Sequence, residues 1–321
     1  MKLNKIIIVL GEPQSVFTEV LFKYFSSKKF KNYKFPITLI GSKKLITKQM
    51  KYLKFNFNLN EIRNIEDCKK KNLNIINVNY NKKKTFSKIT SDSNKYIQQC
   101  FEIAINILKN DNKIGLLNGP VSKKHFLKKK FLGITEYLKN KSGSSSSTML
   151  IYNKFFSVSP ITTHIPINKV SKNITKKKIV ENTIRLNNFF LKNLKKKPKI
   201  AILGLNPHCE SIDKISEETK YIIPAIKYLR NKRIKIDGPF SSDTFFIKKN
   251  INKYDIAIGM YHDQVLTPFK TLFNFNGINV TCGLPFIRVS PDHGPNFEML
   301  GKNESDPSSI YCAMKFFEDM R

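Results

Sequence analysis

IAIGMYHDQ, Ile256–Gln264, begins with residues that show no polar alternation and ends in a histidine, an aspartate and a glutamine. A strand with one face in water alternates apolar with polar residues, whereas a strand covered on both faces does not. Ile256–Met260 therefore reads as a strand between two layers of helix, and the polar residues as the loop at its end. AILGLNPH (Ala201–His208) and SVSPITTHIP (Ser157–Pro166) likewise run from a strand candidate straight into a histidine-containing loop. Working outward, apolar runs at Ile6–Leu10, Ile37–Ile40, Ile114–Leu117, Phe156–Ile161, Ile200–Leu205 and Ile278–Thr281 supply further strands. Between them lie stretches with helical spacing. The clearest puts Ile97, Cys100, Phe101, Ala104, Ile105 and Leu108 on one stripe, with Ser91 or Ser93 as its cap. Others run from about Ile174 to Leu194 and from Asp306 or Ser308 to Met320. Strand–helix alternation predicts an α/β chain with a largely parallel, helix-covered sheet. In such sheets ligands gather where strands end and loops begin. The serine-rich segment Ser142–Ser147 (SGSSSS) is expected to be a flexible connection.

The chain has 321 residues, of which 40% are apolar, so it can bury one large core or two ordinary ones. Its 57 basic and 24 acidic residues leave a net charge of +33. A field of that size attracts phosphates, and a nucleic-acid partner is the rival reading. The lysines, however, come as short scattered runs at 69–71, 82–84, 128–130, 176–178 and 195–197. No zinc-finger or RNA-recognition signature accompanies them, so they read as solvated surface with no specific nucleic acid. The five cysteines include no CxxC pair and fit reduced thiols in a cytoplasmic protein. The first apolar run is too short for a signal-peptide core or a membrane span, so no membrane partner is expected.

Where lysine is abundant, its absence is informative. Residues 155–168 and 200–213 contain no Lys or Arg, and 254–301 contain only Lys270 and Arg288. These windows hold four of the five histidines. A core also excludes lysine, but these stretches are rich in polar groups and turn formers, which fits a polar cleft better.

His164, His208 and His262 each follow a buried strand. One such histidine is weak evidence; three at the ends of separate strands are a candidate site for a divalent ion, because neutral imidazoles bind zinc, cobalt or manganese and leave positions open for substrate. Asp263 and Asp243 are candidate orienting partners, ligands or catalytic groups. His125, in KKHFLKKK, reads as surface, and His293, in SPDHGP, as a residue that lines the cleft. Lys270 and Arg288, with Asn279 between them, suit a phosphate or carboxylate. Asp292 is the competing partner for Arg288.

Taken together, GLLNGPVSK…GITEYL at 115–138, TTHIPI at 162–167, GLNPH at 204–208, EE…IIPA at 217–225, GPFSSDT at 238–244 and MYHDQ…K…NVTCGLPFIR…DHG at 260–294 resemble the 4-hydroxythreonine-4-phosphate dehydrogenases. These belong to the isocitrate/isopropylmalate dehydrogenase-like group, and the match covers most of the chain after about residue 110. The resemblance implies two α/β/α domains around a largely parallel sheet with the active-site cleft between them. The implied division is 1–135 plus 265–321 for the first domain and 136–264 for the second. It further implies a homodimer with a shared active site, NAD or NADP, and one divalent ion (zinc, magnesium, cobalt or manganese). The implied metal ligands are His164, His208 and His262, contributed across the dimer. The implied contacts to a small phosphorylated amino-acid substrate are Thr135, Lys270, Asn279 and Arg288. The implied reaction is oxidation of 4-phosphohydroxy-L-threonine at C3, then decarboxylation, in pyridoxal phosphate biosynthesis. Four departures are visible, one of them Pro295 after DHG, where the family usually has a small polar residue. GEPQSVFTE at 11–19 puts Ser15 and Phe17 where the family has glycines, which argues against close approach of a ligand to that backbone. Ile134 stands where the family has a histidine, which raises a related phosphorylated hydroxy acid, such as a tetronate 4-phosphate, as an alternative substrate. CESIDKIS replaces a glycine-rich segment after the second histidine.

Overall fold

The computed structural model describes residues 2–320 except 71, 83, 128–130, 132, 211–214 and 292–293. The chain divides into two compact units, Met1–Ser145 with Leu284–Arg321, and Ser146–Gly283. In chain order the first unit supplies β1 (Lys5–Val9), β2 (Ile37–Gly41), β3 (Leu59–Glu61), β4 (Leu73–Asn77) and β5 (Ile114–Asn118). The second supplies β6 (Thr148–Tyr152), β7 (Ser157–Pro160), β8 (Ile200–Leu203), β9 (Ile236–Phe240), β10 (Ile256–Gly259) and β11 (Ile278–Cys282), after which β12 (Arg288–Pro291) returns to the first.

The strands of the first unit lie in the order β3-β4-β2-β1-β5-β12 and pair in parallel throughout. Ile6, Ile7, Ile8 and Val9 are all fully buried, as a strand covered on both faces requires. The helix Asn94–Asn110 packs Ile97, Cys100, Phe101, Ala104, Ile105 and Leu108 into the core of this unit, together with Ile7, Ile40 and Leu116. Ser93 occupies its cap position but makes no cap bond. Its hydroxyl donates instead to Oε2 of the buried Glu12, at 3.2 Å.

The strands of the second unit lie in the order β11-β6-β7-β10-β8-β9. β7, β10, β8 and β9 run parallel, and β6 runs antiparallel to both of its neighbours. The helix Lys176–Phe189 starts at Thr175, whose Oγ1 accepts from Lys178 N at 3.2 Å, and continues as a wider turn over Phe190–Leu194. The last helix, Ser308–Asp319, belongs to the first unit.

The units meet in sequence at 145/146 and 283/284, where the sequence reading placed 135/136 and 264/265. Packing accounts for the shift. The helix Ile134–Lys141 inserts Tyr137 and Leu138 into the first core, beside Phe101 and Phe126. The helix His262–Phe273 inserts Val265, Leu266 and Phe269 into the second, and β11 pairs with β6. The segment Ser142–Ser147, read as flexible, is held by hydrogen bonds. Ser142 Oγ donates to Lys139 O at 3.1 Å, and Ser146 Oγ accepts from Arg185 Nη1 at 3.0 Å. Among the described residues, no helix is long and apolar enough to cross a membrane.

Candidate active site

The three histidines all lie in the second unit, each just past the carboxyl end of one of three adjacent parallel strands: His164 after β7, His208 after β8 and His262 after β10. The rings of His164 and His262 stand side by side, with centroids 5.8 Å apart. His262 is the first residue of its helix, and its Nδ1 lies 2.6 Å from Asp263 Oδ1. That bond leaves Nε2 as the outward nitrogen, the usual arrangement of a carboxylate-oriented metal ligand. His208 sits on a separate turn with a left-handed backbone (φ 55°), and its side chain is 73% exposed. Its Nδ1 is 4.0 Å from Asp243 Oδ2. The Asp243 carboxyl is held below the ordinary aspartate value, first by the Ser241 hydroxyl, which donates to Oδ1 at 2.5 Å, and also by the Thr244 amide.

Outward-facing imidazoles need a rigid frame, and the frame here is polar. Thr162 Oγ1 donates to Met260 O at 2.7 Å, tying the loop of His164 to the residue two before His262. Glu218 is 1% exposed and accepts the backbone amides of Leu205 and Asn206, at 2.7 and 2.9 Å, on the approach to His208. Asn206 Nδ2 donates to both Glu217 and Glu218, at 2.9 and 2.8 Å. Burial pushes the Glu218 carboxyl up, but the donors of Asn206 and Leu205 outweigh it and leave the group below its ordinary value. Gly204 gives this carboxylate room, because a Cβ there would stand 2.7 Å from Cys209 Sγ and 3.1 Å from Glu218 Oε1.

The donor set suits a divalent ion in kind: imidazoles, two of them with a carboxylate behind Nδ1. Among the described residues of a single chain, however, no group of three or more His, Cys, Asp or Glu side chains converges closely enough to hold one.

The four positions read as substrate contacts fall in both units. Lys270 lies on the helix His262–Phe273 and Asn279 on β11, in the second unit. The Asn279 Oδ1 is buried and accepts no hydrogen bond among the described residues. Thr135 and Arg288 come together in the first unit. Arg288 is fully buried on β12; its Nε donates to Asn118 Oδ1 at 2.7 Å and its Nη1 to Thr135 Oγ1 at 3.4 Å. Burial pulls the guanidinium below its ordinary value, and the charge of Glu136 partly opposes this. Ile134, beside Thr135, packs against the hydrophobic core of the first unit. Asp292, the competing partner for Arg288, and His293 lie outside the described residues. His125 is half-buried on a turn where its backbone amide donates to Ser122 Oγ at 3.1 Å.

Sequence reasoning missed Asn118, Glu217, Glu218 and Ser242. The signal for the glutamates was present: an acidic doublet in a chain with only 24 acidic residues.

Residues 33–317 match the family of the pyridoxal phosphate biosynthetic protein PdxA. The chain belongs to the PdxA family. With it the chain is an oxidoreductase of α/β fold. It is 38% identical over 315 residues to a 4-hydroxythreonine-4-phosphate dehydrogenase of Sulfurihydrogenibium sp. (strain YO3AOP1), covering 97% of this chain and 96% of that protein. It is 33% identical to the protein of the same name from Aquifex aeolicus (strain VF5), covering 99% and 98%. A crystal structure of a 4-hydroxythreonine-4-phosphate dehydrogenase from Burkholderia phymatum superposes with a TM-score of 0.82 at 25% identity, covering 100% of this chain and 99% of that one. An isocitrate dehydrogenase from Methylococcus capsulatus shares the fold alone, with a TM-score of 0.51 at 8% identity over 98% and 85% of the two chains. The likeness to the PdxA family thus begins well before residue 110, where the motifs alone placed it.

Proposed function

We propose that this chain oxidises 4-phosphohydroxy-L-threonine at C3 with NAD or NADP in pyridoxal phosphate biosynthesis. The resulting β-keto acid loses its carboxylate as CO2 and leaves 3-amino-2-oxopropyl phosphate. The observation that carries the reading is the arrangement of His164, His208 and His262 past three neighbouring parallel strands, with carboxylates behind two of them. His164, His208 and His262 would hold one divalent ion. Bound there, the ion would supply Lewis-acid polarisation of the C3 oxygen, and the nicotinamide would be the hydride acceptor. Two chains would complete the site, a reading supported by the absence of a three-ligand cluster among the described residues of one chain.

The chain's own residues then have distinct tasks. Asp263 holds the His262 ring in one orientation through Nδ1, and Asp243 stands behind His208. Lys270, Asn279, Thr135 and Arg288 would hold the phosphate and carboxylate of the substrate. For Arg288 the Asn118 bond aligns the fork, so less side-chain freedom is lost when an anion arrives. The loop after β1 is filled by its own side chains and would not serve as a phosphate cradle for the nicotinamide cofactor. The test follows NAD(P)H formation from 4-phosphohydroxy-L-threonine with and without a chelator. Activity should require the metal, and His208→Ala should lower kcat/KM by more than roughly 100-fold, beyond the usual loss for an outer-shell partner. Metal-independent turnover would reject the mechanism.

A further inference from the structure

One side chain bonds to all but one of the backbone segments that carry the candidate ligands. Gln264 occupies the third position of the helix His262–Phe273 and is 8% exposed. Its Oε1 accepts the Met260 amide at 2.6 Å, a back-reaching bond close to that of a capping box. Its Nε2 donates to Gly204 O at 2.7 Å and to Ser242 Oγ at 2.6 Å. Met260 leads into His262, Gly204 leads into His208, and Ser242 precedes Asp243. The fourth segment is joined indirectly, because Met260 O accepts Thr162 Oγ1 on the way to His164. Gly259 makes room for the amide: a Cβ there would stand 2.7 Å from Gln264 Oε1.

We propose that Gln264 is a positioning residue that fixes, within each chain, the relative placement of the loops carrying His164, His208 and His262, and so the affinity of the shared site for a divalent ion; this rests on the metal reading above. The choice of amide over acid supports the assignment. The first turn of a helix favours a carboxylate through the helix dipole, so glutamate would be the better local residue. A carbonyl oxygen such as Gly204 O can only accept, however, so the group facing it must donate, which an ionised carboxylate cannot do. Gln264 meets that demand and still offers an acceptor to Met260 N. Local preference is overridden by a bond to a residue 60 positions away.

The test titrates Co2+ into the full chain by calorimetry, for the wild type, Gln264→Leu and the isosteric Gln264→Glu. Ile179→Val, a core truncation at a fully buried position in the same unit, is the stability control. Both Gln264 variants should bind Co2+ on the order of 10- to 100-fold more weakly, the range for outer-shell partners. Added Co2+ should restore much of their turnover, a shift in metal requirement that a purely structural defect would not produce. Ile179→Val should lose Tm with its Co2+ affinity intact. Gln264→Glu that binds Co2+ within twofold of the wild type overturns this assignment and leaves the metal reading standing. A wild-type chain that takes up no Co2+ overturns both.

Discussion

The loop after β1 in the first unit and the loops after β7, β8 and β10 in the second occupy equivalent places, each at the carboxyl end of a parallel strand. They use their polar residues in opposite ways. In the first unit Glu12, Gln14 and Ser15 are each 1% exposed and turned inward. Glu12 Oε1 accepts the Gln14 amide at 3.3 Å, and Ser15 Oγ donates to Glu12 O at 2.8 Å. Phe17 is fully buried, its ring against Gly119, where a Cβ would stand 2.4 Å from Phe17 Cδ1. The amides a ligand would need are covered by the chain itself. In the second unit Thr162, Glu218 and Gln264 turn inward and bond the loop backbone, while His164 and His208 are exposed. A strand end becomes a site when buried polar groups hold its backbone and leave other side chains facing outward. When the same groups satisfy one another, it becomes a plug.

The strongest way to break the comparison is to remove the plug. Phe17→Ala should lose about 4 kcal/mol of stability in a denaturant titration, the cost of emptying a packed aromatic site. If the loss were under about 1 kcal/mol, Phe17 would not be filling the loop. Glu218→Ala tests the frame of the second unit. It strands the amides of Leu205 and Asn206, and should cost about 3 kcal/mol near neutral pH. Because the folded Glu218 lies below the ordinary 4.5, its contribution is present above that value and fades as pH falls through the folded pKa. The gap between wild type and Glu218→Ala should therefore narrow in acid.

The smallest effect belongs to Glu12, and it has the opposite sign. Burial raises the Glu12 carboxyl above the ordinary 4.5, while the Gln14 amide, the Ser93 hydroxyl and the charge of Lys82 pull it back in part. The protonated form is favoured in the folded chain, so stability from this group is present below 4.5 and declines as pH rises through the folded pKa. Glu12→Gln keeps the shape and an acceptor for Gln14. Its Tm relative to the wild type should climb as pH rises above 4.5, and a flat difference would show that Glu12 folds without strain.

The pattern of what was legible follows the range of the forces involved. β1, β2, β5, β8 and β10 were each readable because a nearly unbroken apolar run needs no partner to declare itself, while β7 and β11 were readable from fewer apolar residues despite Ser157, Ser159 and Asn279. β4 was hidden by Asn74, whose side chain donates to Ile37 O, Lys69 O and Asn72 O. β9 was hidden by Gly238 and Pro239, which coincide with an irregular register opposite Ala201–Leu203. β12 was hidden by Arg288, since a charged residue reads as surface until Asn118, from a strand 170 residues earlier, is seen to receive it. The unit boundaries were misplaced for a related reason: neither the helix Ile134–Lys141 nor the helix His262–Phe273 shows in its own residues which core it enters.

By itself, then, the sequence determined the α/β class, the buried parallel strands and the three histidines at their ends. These rest on hydrophobic periodicity and on the exclusion of lysine, both of which act within a few residues. Only the tertiary structure decided that Gln264, Glu218 and Thr162 hold those histidines in place, and that Glu12, Gln14 and Ser15 close the loop after β1. Such roles consist of hydrogen bonds between residues far apart in the chain, and whether a polar side chain frames a site or fills one depends on which buried group it meets.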